Sequence, residues 1–235
     1  MLDYVYTKNM KFIHEGPDKA ATAAAKLLAK NITAKKPVIW LVCGGSNILT
    51  EVAIMKQLRK TSDANLGRLL ILPMDERYGA PGHKDSNYVQ LKQAGFDPGD
   101  AMWIDVLARD LPLAETVDYY SGLVQNAFPA AASIIGVFGL GTDGHTAGVL
   151  PKSPAVYEEV ATVVGYDSPP FVRLTLAPSE LIRTTTAFVL AYGETKLAPL
   201  QRLQANTEPI EKLPSRLLYD ISEVYVYNDQ LESEA

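Results

Sequence analysis

Cysteine is nearly absent from this sequence of 235 residues, in which Cys43 is the only one. A single thiol excludes intrachain disulfides, and it also excludes a zinc site built on several cysteines. Cys43 ends an apolar segment, where a cysteine more often packs in the core than acts as a nucleophile. We therefore predict a core cysteine and no metal site.

Long apolar runs are also missing. The longest ones, residues 38–43 and 133–140, are far shorter than the roughly 20 residues that cross a bilayer. Residues 1–16 lack the basic-then-apolar order of a secretion signal. We therefore expect a cytoplasmic protein that does not span a membrane.

Positive charge is not in excess either. The chain has 22 Lys and Arg against 27 Asp and Glu, which gives a net charge of −5. Nucleic-acid binding usually needs a basic footprint, so no nucleic-acid partner is expected. A small anionic ligand remains compatible with this charge if donors and cations cluster locally.

The composition is that of an ordinary globular protein, with 47% hydrophobic and 21% charged residues. We find no repeat, low-complexity tract or long linker. Length and composition together predict one domain over residues 1–235. The expected assembly is a monomer or a homodimer, between which the sequence does not decide.

Apolar segments alternate with helical ones along the chain. Strands that are apolar throughout and separated by helices predict a doubly wound α/β fold with a mostly parallel sheet covered on both faces. The predicted strands are 38–43, 68–74, 101–106, 133–140, 161–166, 172–176, 187–192 and 224–227, and the predicted helices are 20–30, 47–60, 86–94, 113–128 and 193–203.

Ligands bind such sheets beyond the carboxyl ends of the strands, so the residues there are the candidates for a site. Gly44, Gly45 and Ser46 follow the first of these strands and precede a helix. Two interpretations fit them equally well. Paired glycines, a hydroxyl and a helix N-terminus are typical of phosphate binding; a tight turn capped by Ser46 or Asn47 would look the same.

Asp75 and Arg77 follow the second strand and open a polar loop. A solvated ion-pair cluster would account for them. The alternative is a site in which Arg77 forks onto phosphate or carboxylate oxygens of a hydroxylated ligand.

Residues 139–144 fit the Gly-x-Gly-x-x-Gly pattern of dinucleotide-binding proteins. That pattern requires a helix of about three turns after the glycines. Pro151 and Pro154 would break such a helix, so we reject a dinucleotide cofactor.

What remains in this segment is Asp143, two residues before His145. A carboxylate that holds an imidazole is the usual arrangement of a general base, and we favour this over a histidine that only packs a loop. Arg173 and Lys196 lie farther along the chain. Each alone would be a surface charge, but as a pair they would neutralise a phosphate held by residues 44–46.

The chain resembles 6-phosphogluconolactonases, within the group that includes glucosamine-6-phosphate deaminases and isomerases. The resemblance runs in order through CGGSN (43–47), MDERY (74–78), SNYVQL (86–91), GLGTDGHTAGVLP (139–151), VRLTL (172–176) and the turn at 193–196. It implies a ribose-phosphate-isomerase-like α/β fold. It also implies hydrolysis of 6-phospho-glucono-1,5-lactone in the oxidative pentose phosphate pathway, without a metal or organic cofactor.

The same resemblance implies roles for single residues. His145 matches the general base that activates water, with Asp143 orienting its ring. Asp75 matches an active-site acid, and Arg77 a residue that binds substrate or stabilises the oxyanion. The positions associated with the sugar phosphate are Gly44, Gly45, Ser46, Arg173 and Lys196.

Two alternatives to a lactonase stay open, namely a deaminase or isomerase of another sugar phosphate and a non-catalytic sugar-phosphate sensor. The family's deaminases carry a glutamate after the histidine motif, whereas this chain has no carboxylate between His145 and Pro151. The chain also departs from the lactonases, with Asn47-Ile48 in place of Thr-Pro and Gly148 in place of a serine.

Overall fold

The computed structural model describes residues 9–33, 37–61 and 65–232. The expectation about a secretion signal concerned residues 1–16, and residues 1–8 of that segment lie outside the described residues. The strands are β1 (Met10–His14), β2 (Val38–Val42), β3 (Leu69–Pro73), β4 (Asp75–Tyr78), β5 (Met102–Trp103), β6 (Ser133–Gly139), β7 (Val163–Ser168), β8 (Phe171–Leu176), β9 (Thr186–Ala191) and β10 (Val224–Asn228). The helices are α1 (Pro17–Thr33), α2 (Ile48–Leu58), α3 (Asn87–Gln93), α4 (Leu113–Ala130), α5 (Pro178–Leu181) and α6 (Leu197–Ala205).

Seven strands form one parallel sheet in the order β1-β10-β9-β6-β2-β3-β5. Every residue of β2 and of β9 is buried, as expected of strands covered on both faces. The helices α1, α2 and α3 pack on one face of the sheet, and α4, α5 and α6 contribute to the core on the other. The predicted α/β class with a mostly parallel sheet is therefore confirmed.

Three further strands form a separate antiparallel sheet in the order β4-β8-β7. The strands predicted over 161–166 and 172–176 are confirmed as β7 and β8. The sequence did not predict that they form a second sheet, nor that residues 75–78 are a strand. Three consecutive charged residues, Asp75 to Arg77, show neither the apolar run of a buried strand nor the polar–apolar alternation of a strand with one wet face, so no sequence pattern indicates β4.

Other predicted boundaries shift by a few residues. The strand predicted over 101–106 shortens to Met102–Trp103, and the helix predicted over 193–203 begins with a 3-10 turn before α6. Strand β1 was not predicted, because it is a short edge strand of mixed polarity.

Met74 joins the two sheets through its backbone. Its N–H donates to the Val42 carbonyl of β2 at 2.7 Å, and its carbonyl accepts from the Leu176 N–H of β8 at 2.9 Å. The chain thus leaves the parallel sheet at Pro73 and enters the antiparallel one at Asp75. This crossing carries the residues of β4 over the carboxyl ends of β2 and β3.

Glu76 fixes β4 against the start of α3. Its side chain is 0% exposed, and both carboxyl oxygens only accept hydrogen bonds. Oε1 accepts from the Arg77 and Asn87 amides at 2.7 and 2.6 Å, and Oε2 accepts from the Ser86 hydroxyl and the Tyr88 amide at 2.9 and 3.1 Å. Burial raises the pKa of Glu76, and these four donors counter it by favouring the ionised form.

We predict that Glu76→Gln lowers the free energy of unfolding by about 2–3 kcal/mol, because its amide N–H₂ would face backbone donors. Urea denaturation at neutral pH measures the change. Glu115→Gln, at an exposed position of α4, is the matched control and should stay within about 0.5 kcal/mol of wild type. A Glu76→Gln protein as stable as that control would contradict the assignment.

Candidate active site

A cavity of about 300 Å³ opens where the carboxyl ends of β2, β3, β6 and β9 meet. Eight of the nine residues predicted for the site line it, and Asp143 contacts one of them, His145, from behind. The structure thus brings together residues that are up to 152 positions apart in the sequence. The predicted residues that line the cavity are Gly44, Gly45, Ser46, Asp75, Arg77, His145, Arg173 and Lys196.

Two glycines shape the turn after β2 for different reasons. Gly45 has a φ of +70°, which disfavours any side chain. Gly44 leaves room for a neighbour, because a Cβ there would lie 1.9 Å from Asn87 Oδ1. The turn then continues through a 3-10 segment, Gly45–Asn47, into α2, with Ser46 exposed at the cavity.

Of the two interpretations left open for this turn, the one with a cap by Ser46 or Asn47 does not hold, because neither side chain makes a capping hydrogen bond. The buried Asn47 amide turns inward and donates to the Phe138 carbonyl at 3.0 Å and to Cys43 Sγ at 3.3 Å. Asn47 therefore ties the glycine turn to β6. Cys43 is buried as predicted, and burial raises the pKa of its thiol well above the usual value.

Arg77 and Arg173 face each other across the antiparallel pair of β4 and β8. Both guanidinium groups lie over the ring of Phe171, at 5.3 and 5.7 Å from its centroid. Arg77 Nη1 donates to the Asp85 carbonyl at 3.0 Å, while the buried Nε of each arginine lacks a hydrogen-bond partner among the described residues. Like charges opposite each other are unfavourable in a sheet, so this pair suits an anion in the cavity.

Among the described residues that line this cavity, Asp75 is the only one that carries a carboxylate. It is 6% exposed, and its Oδ2 lies 3.9 Å from Arg173 Nη1. Burial raises the pKa of Asp75, while Arg77, Arg173 and His145 act in the opposite direction. The cavity therefore pairs one buried acid with the two arginines.

The loop after β6 holds His145 beside Asp143. The His145 backbone N–H donates to Asp143 Oδ1 at 3.1 Å, and His145 Nδ1 lies 2.5 Å from the same oxygen. Burial opposes ionisation of Asp143, but these bonds to His145 outweigh it and lower the pKa of Asp143 to about 2. Asp143 is therefore ionised at neutral pH and fixes Nδ1, so that Nε2 is the nitrogen left to exchange a proton.

No helix starts at the glycines of this loop, as the prolines at 151 and 154 predicted. The residues instead form turns, in which the Gly141 N–H donates to the His145 carbonyl at 2.8 Å and the Thr146 hydroxyl to the Gly139 carbonyl at 2.8 Å.

Arg202 of α6 supports the same loop from outside the cavity. Its guanidinium group forms a forked pair with Glu208 at 2.6 and 2.9 Å, and its Nη1 donates to the Asp143 carbonyl at 3.1 Å. Arg202 thus links the Asp–His loop to the segment after α6. The sequence offered no signal for this role, since one arginine on a helix resembles a surface charge.

Lys196 lines the cavity, and Gly148 packs against Asp75, another residue of the lining. Lys196 Nζ donates to the Leu140 carbonyl at 2.5 Å, and burial lowers the pKa of Lys196, against the opposing effect of Asp143.

Gly148 packs so closely that a Cβ would lie 2.7 Å from Thr175 Cβ and 3.0 Å from Asp75 Cβ. The Thr175 hydroxyl accepts from the Gly148 N–H at 3.2 Å. A hydroxyl is therefore present beside Gly148, although the sequence comparison suggested that one had been lost.

Neither a cluster of metal ligands nor a membrane-spanning helix occurs among the described residues. In residues 9–33, 37–61 and 65–232, no three His, Cys, Asp or Glu side chains cluster as ligands of a metal ion. Within the same ranges, no helix has the length and apolar character needed to cross a membrane.

The fold is that of solved enzymes named for sugar-phosphate chemistry. It superposes on 6-phosphogluconolactonase from Trypanosoma brucei with a TM-score of 0.77 and 20% sequence identity, covering 95% of this chain and 96% of that one. It superposes equally well on a monomeric glucosamine-6-phosphate deaminase, with a TM-score of 0.76, 18% identity and coverage of 94% and 96%. At these identities the likeness shows the fold alone.

The family itself follows from the sequence. Residues 15–226 match the profile described as glucosamine-6-phosphate isomerases/6-phosphogluconolactonase, and the chain belongs to this family. Human 6-phosphogluconolactonase is 28% identical over 163 residues, which span 66% of this chain and 63% of the human protein.

We predict that Gly141→Ala displaces the His145 ring, because a Cβ at this position would lie 2.1 Å from His145 Nδ1. The contact between Nδ1 and Asp143 should break. Imidazole ¹⁵N NMR would then lose the signature of an Nδ1 proton held by a carboxylate. Gly122→Ala is the control, because a Cβ on that residue of α4 meets nothing within 4 Å. An unchanged imidazole spectrum in Gly141→Ala would contradict this geometry.

Proposed function

We propose that this protein hydrolyses 6-phospho-D-glucono-1,5-lactone to 6-phospho-D-gluconate, the lactone-opening step of the oxidative pentose phosphate pathway. The observation that carries the proposal is the Asp143–His145 pair in one cavity with Arg77 and Arg173. A base for water and cations for a phosphate are the two requirements of this reaction. The chain's curated relatives, among them the human protein, carry the name of this activity.

In the proposed reaction His145 Nε2 takes a proton from water as the oxygen attacks the lactone carbonyl carbon. The carbonyl becomes an oxyanion, which then collapses and breaks the bond to the ring oxygen. The imidazolium returns its proton to that leaving oxygen, so the products are a hydroxyl and a carboxylic acid, which then releases its proton to solvent and becomes a carboxylate. Ionised Asp143 stabilises the imidazolium and keeps its ring oriented.

We propose that the phosphate of the substrate lies at the cationic end of the cavity. Arg77, Arg173 and Lys196 supply charge there, and the turn at Gly44, Gly45 and Ser46 supplies backbone and hydroxyl donors. The unpartnered Nε atoms of both arginines support this assignment, because buried donors without partners are costly unless a ligand satisfies them. In this arrangement we also assign to Arg77 the stabilisation of the oxyanion that forms at the lactone carbonyl.

Lactone hydrolysis is favoured over deamination because the segment after His145 lacks an acid. Ring opening of an amino sugar needs an acid that serves the ring oxygen, and the segment from Ala147 to Leu150 supplies none. Hydrolysis of a lactone needs a base and cationic stabilisation, and both are present. Because the deaminase fold superposes as well as the lactonase fold, this local chemistry carries the distinction.

The remaining expectations accompany this proposal. The ligand is a small sugar phosphate, and the protein works without a metal or organic cofactor. Its cytoplasmic location and its monomeric or homodimeric state stay predictions.

We expect His145→Ala to lower the rate of lactone hydrolysis by roughly 10²–10⁴-fold, the usual contribution of a general base. The rate is measured on fresh 6-phosphogluconolactone by coupling the product to a dehydrogenase and subtracting spontaneous hydrolysis. His14→Ala, on the edge strand β1, is the control and should retain the wild-type rate. Wild-type speed in His145→Ala would refute the general-base role, and a folded wild type without activity would refute the lactonase proposal.

We expect Arg173→Gln to raise KM for the phosphorylated lactone by roughly 10–100-fold, since a bond to a charged group contributes about 1.5–3 kcal/mol. KM for unphosphorylated gluconolactone should stay the same. Arg59→Gln is the matched control, because Arg59 follows the far end of α2 and pairs with Asp97. A wild type that handles both lactones equally well would show that the phosphate site is misassigned.

A further inference from the structure

Glu51 is a buried acid directly behind the glycine turn. It lies in the first turn of α2 and is 0% exposed. Its Oε1 accepts a hydrogen bond from the Cys43 N–H at 2.7 Å. Its Oε2 is also buried and has no hydrogen-bond partner among the described residues.

β2 ends at Val42, and Cys43, the next residue, is the first of this segment to line the cavity. Cys43, Gly44 and Gly45 follow one another along the wall of the cavity, so a group that fixes the Cys43 amide sets the start of this wall. Glu51 makes that bond from the helix side. It contacts the turn without lining the cavity, so its role is to position the turn.

The charge state of Glu51 therefore matters to the turn. Burial raises the pKa of Glu51 to about 8, and the nearby Asp75 acts in the same direction, while the bonds to Cys43 oppose both. At neutral pH the carboxyl group is thus mostly protonated. A neutral acid places its carbonyl oxygen on the Cys43 N–H without adding a second negative charge near Asp75.

We propose that Glu51 is a positioning residue whose protonated carboxyl group holds the first amide of the glycine turn, and that loss of this proton weakens the binding of a phosphate in the cavity. Ionisation would leave a charged, unpartnered Oε2 in a dry interior, and the turn would move to relieve it. The same charge would repel a dianionic phosphate. The proposal rests on the proposed function only in that the cavity binds a phosphate group.

The groups that surround Glu51 do not offer another source of this pH dependence near the turn. The Cys43 thiol on one side and the Asp75 carboxyl on the other act on it directly. The remaining charged or titratable side chains on the helices packed against α2 are exposed or half-buried, namely Asp18, Lys19, Lys26 and Lys30 on α1 and Tyr88 and Lys92 on α3.

Titration calorimetry of 6-phosphogluconate binding from pH 7 to 9 tests the proposal. The phosphate monoester is dianionic throughout, because its second pKa is about 6. If only the protonated form of Glu51 binds well, the wild-type Kd should rise about tenfold between pH 7 and 9. Glu51→Gln keeps an acceptor for the Cys43 N–H and cannot ionise, so its Kd should rise less than that of wild type, with only the other cavity groups such as Lys196 contributing. Glu115→Gln should follow wild type.

A second measurement needs no ligand. The folded wild type keeps a proton on Glu51 that the unfolded chain releases near pH 4.5, so wild-type stability falls as pH rises from about 4.5 to 8. Glutamine does not titrate. The melting temperature of Glu51→Gln should therefore rise relative to wild type between pH 6 and 9. Should that variant fail to fold, ¹³C NMR of the wild-type Glu51 carboxyl gives its titration directly.

The outcomes are separable. A wild-type Kd that is flat with pH, a Glu51→Gln slope equal to that of wild type, or a carboxyl that titrates below pH 6 would each overturn the proposal. Lactonase activity together with a flat Kd would remove the role of Glu51 and leave the proposed function standing. A pH-dependent Kd without lactonase activity would support Glu51 and refute the hydrolase.

Discussion

The two backbone hydrogen bonds of Met74 are the constraint on which the candidate site depends. One joins β2 of the parallel sheet and the other joins β8 of the antiparallel sheet, so the crossing point is fixed on both sides. Beyond it, β4 alternates its side chains, which places Asp75 and Arg77 on one face and Glu76 on the other. The first face contributes to the cavity, and the second anchors α3. A two-residue period thus separates the side chains that line the cavity from the one that anchors α3.

The electrostatics of the cavity follow from this arrangement. Arg77 and Arg173 are opposed by strand register and do not form ion pairs that would neutralise both, since Asp75 contacts Arg173 only at 3.9 Å. Arg77 is held by the Asp85 carbonyl and both arginines by the ring of Phe171, while the Nε atom of each is buried without a hydrogen-bond partner among the described residues. The description of the family names two kinds of enzyme, so membership by itself does not distinguish between their chemistries.

Much of the site was predictable because strand ends in a parallel sheet converge. The segments 43–47, 139–146 and 193–196 each follow an apolar run, and that pattern alone indicated a common edge. The antiparallel sheet was missed, since the three consecutive charges that open β4 do not look like a strand and its partner strand lies about 100 residues away. Glu51 and Arg202 were also missed, because a single charge in a helix gives no sign of whether it faces the core. A cap by Asn47 was one of two open interpretations, and a buried carbonyl of β6 accepts from its amide instead.

Gly148 has a consequence for how this site changes over evolutionary time. The space that a Cβ would need is filled by the Cβ atoms of Thr175 and Asp75 and by the Thr175 hydroxyl. A serine introduced at 148 would collide with both β8 and β4, and an alanine introduced at 175 would keep the colliding Cβ while leaving the Gly148 N–H without its acceptor. Exchanging one neighbour therefore does not make room for a side chain at 148. Accommodating one requires the backbones of β4 and β8 to move away from the loop, and Asp75, which lines the cavity, would move with them.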